Sequence, residues 1–127
     1  MSEEFYRAFE DRFRGSRELI KSRLRVYLPF VEPLASLYAD AQAVDLGCGR
    51  GEWLELLTEA GFCAQGVDLD DGMLAACRDI GLNVWTRDAV GFLKELPAAS
   101  QVVVSGFHIA EHIPFSDLQA LVQEALR

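Results

Sequence analysis

Long apolar runs are missing from this 127-residue chain, although half of its residues are apolar. No stretch approaches the ~18 consecutive apolar residues of a membrane helix, so the apolar half is material for the core of one domain. A secretory leader is not expected either, because Ser2, Glu3 and Glu4 stand where such leaders carry basic residues and then an apolar centre. Cysteine is scarce. The three residues Cys48, Cys63 and Cys77 form no Cys-x-x-Cys pair, which argues against a disulfide framework and for reduced thiols in the cytoplasm. Positive charge is also in short supply, with a formal net charge of −8. Residues 1–30 hold seven Lys/Arg and five Asp/Glu, whereas the remainder holds five and fifteen. A body this acidic speaks against nucleic acid as a partner.

What is present falls into two parts, a helical cap over residues 1–40 and an α/β core over 41–127. In the cap, Phe5, Tyr6, Phe9 and Phe13 share a short helix expected over 3–14. Gly15 and Ser16 separate it from a second helix, with Ser16 as N-cap. Between Ser16 and Pro33, the apolar Leu19, Ile20, Leu24, Tyr27, Leu28 and Val31 fall in one arc at ~100° per residue. Arg23 falls inside that arc, between Leu19 and Tyr27, and a guanidinium facing a core requires an anion. Pro29 and Pro33 are expected to kink or end this helix.

After Ala41, strand-like segments at 42–46, 64–69, 83–86 and 101–105 alternate with helical ones at 51–60, 71–80, 89–96 and 116–126. That alternation predicts a parallel sheet with right-handed crossovers. Gly61 and Gly81 stand just past two of the helices, where a left-handed cap belongs. Val102, Val103 and Val104 suit a strand covered on both faces. No fifth strand follows the last helix, so the sheet is expected to be truncated there. The segment 101–105 then becomes an apolar edge inviting a second copy, a homo-oligomer.

Val44-Asp45-Leu46-Gly47-Cys48-Gly49-Arg50-Gly51 reads as a strand running into a tight turn and then a helix. Such a turn aims free amides at the mouth of the sheet, and the helix start adds partial positive charge. Dinucleotide sites use G-x-G-x-x-G; here the spacing is G-x-G-x-G, and Glu52 occupies the position of the expected third glycine. A carboxylate there repels a pyrophosphate, and no Gly-Lys-Ser/Thr loop exists in the chain, so the expected ligand has no pyrophosphate. Asp68 closes the second strand seventeen residues past Gly51. A carboxylate at that place accepts hydrogen bonds from both hydroxyls of a ribose; it can also cap the next helix, as can Asp70 or Asp71.

With these residues in view, Val44–Gly51 resembles the first motif of class I S-adenosylmethionine-dependent methyltransferases, and Gly66-Val67-Asp68-Leu69-Asp70 resembles their acidic second strand. Phe107-His108-Ile109-Ala110-Glu111-His112-Ile113-Pro114 is similar to the segment after their fourth strand. The likeness covers 41–126 and implies a Rossmann-like sheet of order 3-2-1-4. It also implies S-adenosyl-L-methionine as cofactor, leaving as S-adenosyl-L-homocysteine, held at the carboxyl ends of the first two strands. Under it, Gly47 and Gly49 border the methionine part, Asp45 orients the turn, and Asp68 holds the ribose. Leu69 and Met73 border the adenine, Asp88 and the Ala89 amide meet its edge, and Phe107 lies alongside. Arg23 is a candidate for the cofactor carboxylate. The N-terminal segment is similar to bacterial methyltransferases of O-antigen and surface-polysaccharide synthesis, which adds Tyr6 to the cofactor set.

Methyl transfer to a hydroxyl benefits from a base, and His108 is the candidate, with Glu111 and His112 as loop-pinning residues. His108, Glu111 and His112 also match the H-x-x-E-H pattern of a metal protease, but Pro114 breaks the helix that pattern needs, so no metal is expected. The implied acceptor is a hydroxyl or phosphate on a small molecule or glycan. Two alternatives stand beside an active methyltransferase: a truncated module that binds cofactor without turnover, and a nucleotide-dependent oxidoreductase.

Overall fold

The computed structural model describes residues 4, 5, 16–107 and 109–127. Tyr6, His108 and most of the helix expected over 3–14 lie outside the described residues.

Helix α1 (Arg17–Leu24) begins at Ser16, whose hydroxyl accepts the Leu19 amide at 3.2 Å. A single 3₁₀ turn, Arg25–Tyr27, links it to α2 (Leu28–Leu37). Pro29 sits in the first turn of α2, where a missing N–H costs nothing. Pro33 does not end the helix: it forgoes one bond, to the carbonyl of Pro29, and the helix runs on to Leu37. The apolar arc read across 16–33 as one helix is also broken, because the tighter turn shifts its phase. In α1 the inward residues are Ile20 and Lys21, with Arg17 and Leu24 half-buried beside them, while Arg23 is exposed. Arg23 lies roughly a third of a turn off that stripe, so it does not face the core.

The core alternates strand and helix as the sequence predicts. Strand β1 (Gln42–Leu46) leads into α3 (Glu52–Glu59), β2 (Cys63–Asp68) into α4 (Asp71–Asp79), β3 (Val84–Thr86) into α5 (Ala89–Glu95), and β4 (Val103–Ser105) into α6 (Phe115–Leu126). Gly61 and Gly81 adopt φ of +103° and +81° past α3 and α4, as left-handed caps. The four strands form one parallel sheet in the order β3-β2-β1-β4. Register aligns Asp45 of β1 with Gly66 of β2 and Ser105 of β4, and Asp68 with Thr86 of β3.

Side chains alternate across the pleat, so successive residues of β1 serve opposite faces. Ala43 joins Trp53, Leu56, Leu57 and Phe62, a cluster roofed by Leu24, Leu28, Val31 and Leu34 of the cap helices. Val44 and Leu46 turn the other way, onto Val67, Phe92, Leu93 and Leu121 of α5 and α6. A third cluster, Cys48, Leu54, Leu74, Cys77 and Val84, binds α3 to α4. Helices therefore cover both faces, which is why β1 is apolar throughout apart from Gln42 and Asp45. No described helix is long and apolar enough to cross a membrane.

Leu57 is 0% exposed and Phe30 is 80% exposed. Leu57→Ala is expected to destabilise the fold by about 2–5 kcal/mol, and Phe30→Ala by no more than about 0.5 kcal/mol, measured as urea midpoints at constant slope.

Candidate functional site

The order β3-β2-β1-β4 reverses direction between β1 and β4, and ligands of open parallel sheets bind at such a switch point, at the carboxyl ends of the strands. A cavity of ≈ 250 Å³ opens there, lined by Gly47 after β1, Asp68 and Leu69 at the end of β2, Arg87, Asp88 and Ala89 after β3, and Ile109, His112 and Ile113 after β4. It lies just under the ~300–1,000 Å³ range of ligand clefts, a size for one nucleoside and not for two.

The glycine turn between β1 and α3 forms one wall. Gly47, Gly49 and Gly51 all have positive φ, +66°, +56° and +84°. Gly51 has no alternative residue: a Cβ there would stand 2.7 Å from Cys77 Sγ and 2.8 Å from Leu82 Cδ1. The turn closes on itself through the Gly51 amide donating to the Cys48 carbonyl at 2.9 Å, and ties to β2 through the Cys48 amide donating to the Val67 carbonyl at 3.0 Å. Asp68 completes the tie. Its Oδ2 accepts the Gly49 N–H and its Oδ1 the Asp70 N–H, both at 2.8 Å. The helix-capping role falls to Asp70, which accepts the Met73 amide at 3.2 Å.

Below the turn lies a buried polar layer. Asp45 is 2% exposed, with Ser105 Oγ 3.0 Å from its Oδ1, and Trp53 donates its indole N–H to the same Ser105 oxygen at 3.0 Å. Burial, and after it the charges of Asp68 and Glu52, push the Asp45 carboxyl up to about 7, against the pull of the Ser105 hydrogen bond. Glu52, the first residue of α3, is 3% exposed and lies 2.9 Å from the Arg50 guanidinium. Cys77 donates its S–H to the Gly49 carbonyl at 3.4 Å. The hydrogen bond from the Cys48 thiol to Cys77, together with burial, pushes Cys48 up, so it stays protonated.

Gly47, Asp68, Leu69, Asp88 and Ala89, singled out from the sequence, therefore meet at one cavity. Asp88 is at once the N-cap of α5, its Oδ2 accepting the Gly91 amide at 2.8 Å. Asp45 and Gly49 lie behind the wall and shape it. Met73 lies against the far side of Gly49, its sulfur 3.8 Å from where a Cβ would be. Phe107 does not line this cavity; its ring packs on those of Tyr27 and Trp53, each at 5.4 Å between centroids, where aromatic burial gains more than a rim position would. Arg23, exposed on α1, reaches none of these groups.

Sequence reasoning missed Arg87, Ile109 and Ile113, and took His112 for a loop pin. His112 Nε2 is 3.6 Å from Glu111 Oε1, and the side chain borders the cavity. Arg87 was detectable as the residue between β3 and Asp88. The inward turn of Ile109, His112 and Ile113 depends on the 3₁₀ turn Ala110–His112, which no periodicity announces. Among the described residues, no cluster of three His, Cys, Asp or Glu is placed to hold a metal ion.

Comparison with known proteins adds four findings. A family described as methyltransferase domain matches residues 43–127. The ubiquinone biosynthesis O-methyltransferase of Methylococcus capsulatus is 35% identical over 92 residues, covering 68% of this chain and 38% of that enzyme. A SAM-dependent methyltransferase from Archaeoglobus fulgidus superposes with a TM-score of 0.84 at 38% identity, over 96% of this chain and 52% of that one. The bifunctional kinase-methyltransferase WbdD shares the fold alone, with a TM-score of 0.68 at 17% identity over 81% of this chain and 26% of that one. The chain thus spans about half or less of the length of these relatives.

The Asp45 environment generates a test. In the unfolded chain its carboxyl ionises near the ordinary 3.8, and in the folded protein near 7. Between those values the folded state holds a proton that the unfolded state has lost, so this group's contribution to stability is full below pH 3.8 and is lost as pH rises through about 7. Asp45→Asn is expected to remove that downward slope, seen as the difference between wild-type and variant urea midpoints from pH 4 to 8.

Proposed function

We propose a function from one premise: this chain belongs to the methyltransferase-domain family, in its class I, S-adenosylmethionine-dependent branch. It binds S-adenosyl-L-methionine at the cavity and transfers the methyl group to an oxygen acceptor, releasing S-adenosyl-L-homocysteine. The observation that carries the cofactor is the donor set around the glycine turn. Each Asp68 oxygen accepts one backbone N–H and keeps a lone pair, which is what two adjacent ribose hydroxyls require. Asp68 presents its carboxylate to the cavity, Glu52 is paired with Arg50, the cation within the turn, and Asp45 holds its proton up to about pH 7. Such surroundings suit a sulfonium and an ammonium and oppose a diphosphate.

When bound, S-adenosylmethionine supplies a methyl group on a sulfonium, open to in-line displacement. The protein's part is placement and exclusion of water. Asp68 fixes the ribose, Gly47 leaves the backbone bare for close approach, and Leu69, Ile109 and Ile113 make the apolar walls. Asp88 keeps Oδ1 for an adenine amino group, and the Ala89 amide, at the open start of α5, faces the same edge. His108 is the proposed base for the acceptor hydroxyl, and Tyr6 is a proposed contributor from the cap, residues 1–40, over the core, residues 41–127.

The acceptor is proposed as a hydroxyl or phosphate on a small molecule or glycan. Likeness to an O-methyltransferase of ubiquinone biosynthesis supports oxygen as the receiving atom, and the N-terminal likeness supports a bacterial surface polysaccharide. The proposed setting is the cytoplasm, without nucleic acid. A homo-oligomer is proposed through β4, which pairs only with β1 among the described strands. A truncated module that binds cofactor without turnover remains the second reading, favoured by the four-stranded sheet; a methyl-transfer assay on this chain and on a longer version separates the two.

Calorimetry is expected to show binding of S-adenosylhomocysteine and none of NAD, which would be reversed for an oxidoreductase. Asp68→Ala is expected to weaken that binding by at least about tenfold, the loss of two charge-assisted hydrogen bonds. Wild-type affinity in the variant would remove Asp68 from the site. Light scattering at high concentration is expected to report dimers, and a monomer there would argue against pairing through β4.

A further inference from the structure

We propose that Arg17 is a positioning residue for the cofactor site, holding the glycine turn in its binding shape from the cap helix. The inference rests on the reading that this turn binds S-adenosylmethionine. Arg17 lies at the start of α1, far from the cavity in sequence and on no motif. Yet its guanidinium is divided between the turn and Glu55, whose Oε2 also lies 2.6 Å from Nη2. Nη1 donates to the Arg50 carbonyl at 2.7 Å and Nη2 to the Gly51 carbonyl at 3.2 Å. The third arm, Nε, donates to Glu55 Oε2 at 2.7 Å, one turn into α3.

These bonds act on the amides that follow them. A peptide unit is planar, so fixing the direction of a carbonyl fixes that of the next N–H. The Arg50 carbonyl sets the Gly51 amide, which closes the turn onto Cys48. The Gly51 carbonyl sets the Glu52 amide, the first of the free donors at the start of α3. Glycine at 51, with φ of +84°, offers little torsional resistance of its own. Asp68 and Cys77 hold Gly49 from the other side; on the second half Arg17 is the side chain that holds the Arg50 carbonyl, and it shares the Gly51 carbonyl with the Glu55 N–H, which donates to it at 2.8 Å.

The placement is unfavourable in itself, which argues that it is specific. A cation beside a helix N-terminus opposes the helix dipole, and Arg17 stands beside that of α3. Glu55 compensates it, while Lys21 docks α1 on α3 without a bond to the turn. Lys21, one turn along α1, is 4% exposed and lies 3.0 Å from Glu55 and 3.1 Å from Glu59. Rotating α1 away would strand a buried ammonium. The cap helix and the turn thus move as one body, and the coupling is reciprocal: cofactor binding tightens α1 as α1 tightens the cofactor site.

The test uses the whole chain titrated with S-adenosylhomocysteine in a calorimeter. Arg17→Gln and Arg17→Lys are expected to weaken binding by about fivefold or more, the lower end of measured couplings between sites. Lysine keeps the pair with Glu55, so that variant folds, but one ammonium cannot serve both carbonyls as well. Lys21→Met loosens the docking of α1 on α3 and leaves both Arg17 bonds to the turn in place; it is expected to lower the melting temperature and leave affinity within about twofold, a difference under 0.5 kcal/mol. In hydrogen exchange, the compound is expected to protect the α1 amides in the wild type and not in Arg17→Gln. Wild-type affinity in both Arg17 variants would overturn the inference, as would an equal loss in Lys21→Met, which would make docking of α1 the cause. A wild-type chain that does not bind the compound would overturn the cofactor reading and this inference with it.

Discussion

The Asp68 carboxylate, taking the Gly49 N–H on one oxygen and the Asp70 N–H on the other, joins the two strand ends between which the cavity opens. A charged acceptor between two amides draws β1's turn and β2's exit to a fixed separation, and such bonds are about twice as strong as neutral ones. Everything else at the site takes its position from that contact. α3 starts where the turn releases it, and α4 starts where Asp70, placed by Asp68, can cap it. Remaining lone pairs on the same two oxygens are what a ribose would use, so one side chain builds the site and is proposed to serve it.

Three buried or half-buried carboxylates beside a glycine turn would repel one another in most folds. Here each is handled differently. Asp68 accepts two backbone N–H groups, Glu52 is paired with the Arg50 guanidinium, and Asp45 keeps its proton up to about pH 7 beneath Ser105. The result is a polar wall that stays net negative without unpaired charges in the core, and it suits a cationic sulfur compound for the reason it suits no diphosphate. Apolar material is kept to the outer walls and to the two packed faces of the sheet. The Tyr27, Trp53 and Phe107 rings tie the cap helices to α3 and to the loop after β4.

Much of this was legible in the chain. The alternation of apolar segments with glycine punctuation is a local signal for a parallel sheet, and its order 3-2-1-4 is what the resemblance to class I methyltransferases implied. Gly47, Asp68, Leu69, Asp88 and Ala89 sit at strand ends, so counting along the chain located them at the cavity. Arg23 failed because its facing was computed on one continuous helix, and a three-residue 3₁₀ turn separates two. Phe107 departed from the cavity because its ring found aromatic partners, Tyr27 and Trp53, from elements far earlier in the chain.

The amino-acid sequence by itself determined the α/β class, the parallel strands, the glycine turn between β1 and α3, and the acid that ends β2, because each depends on neighbours in sequence or on backbone sterics. The tertiary structure alone decided which cation supports that turn, which face of the post-β4 segment meets the cavity, and which carboxyl keeps its proton. Those outcomes depend on burial and on contacts such as Arg17 with Gly51, made across 34 residues. Local periodicity does not encode the docking angle of one helix on another, and a hydrogen bond of about 3 Å is lost with a small change in that angle.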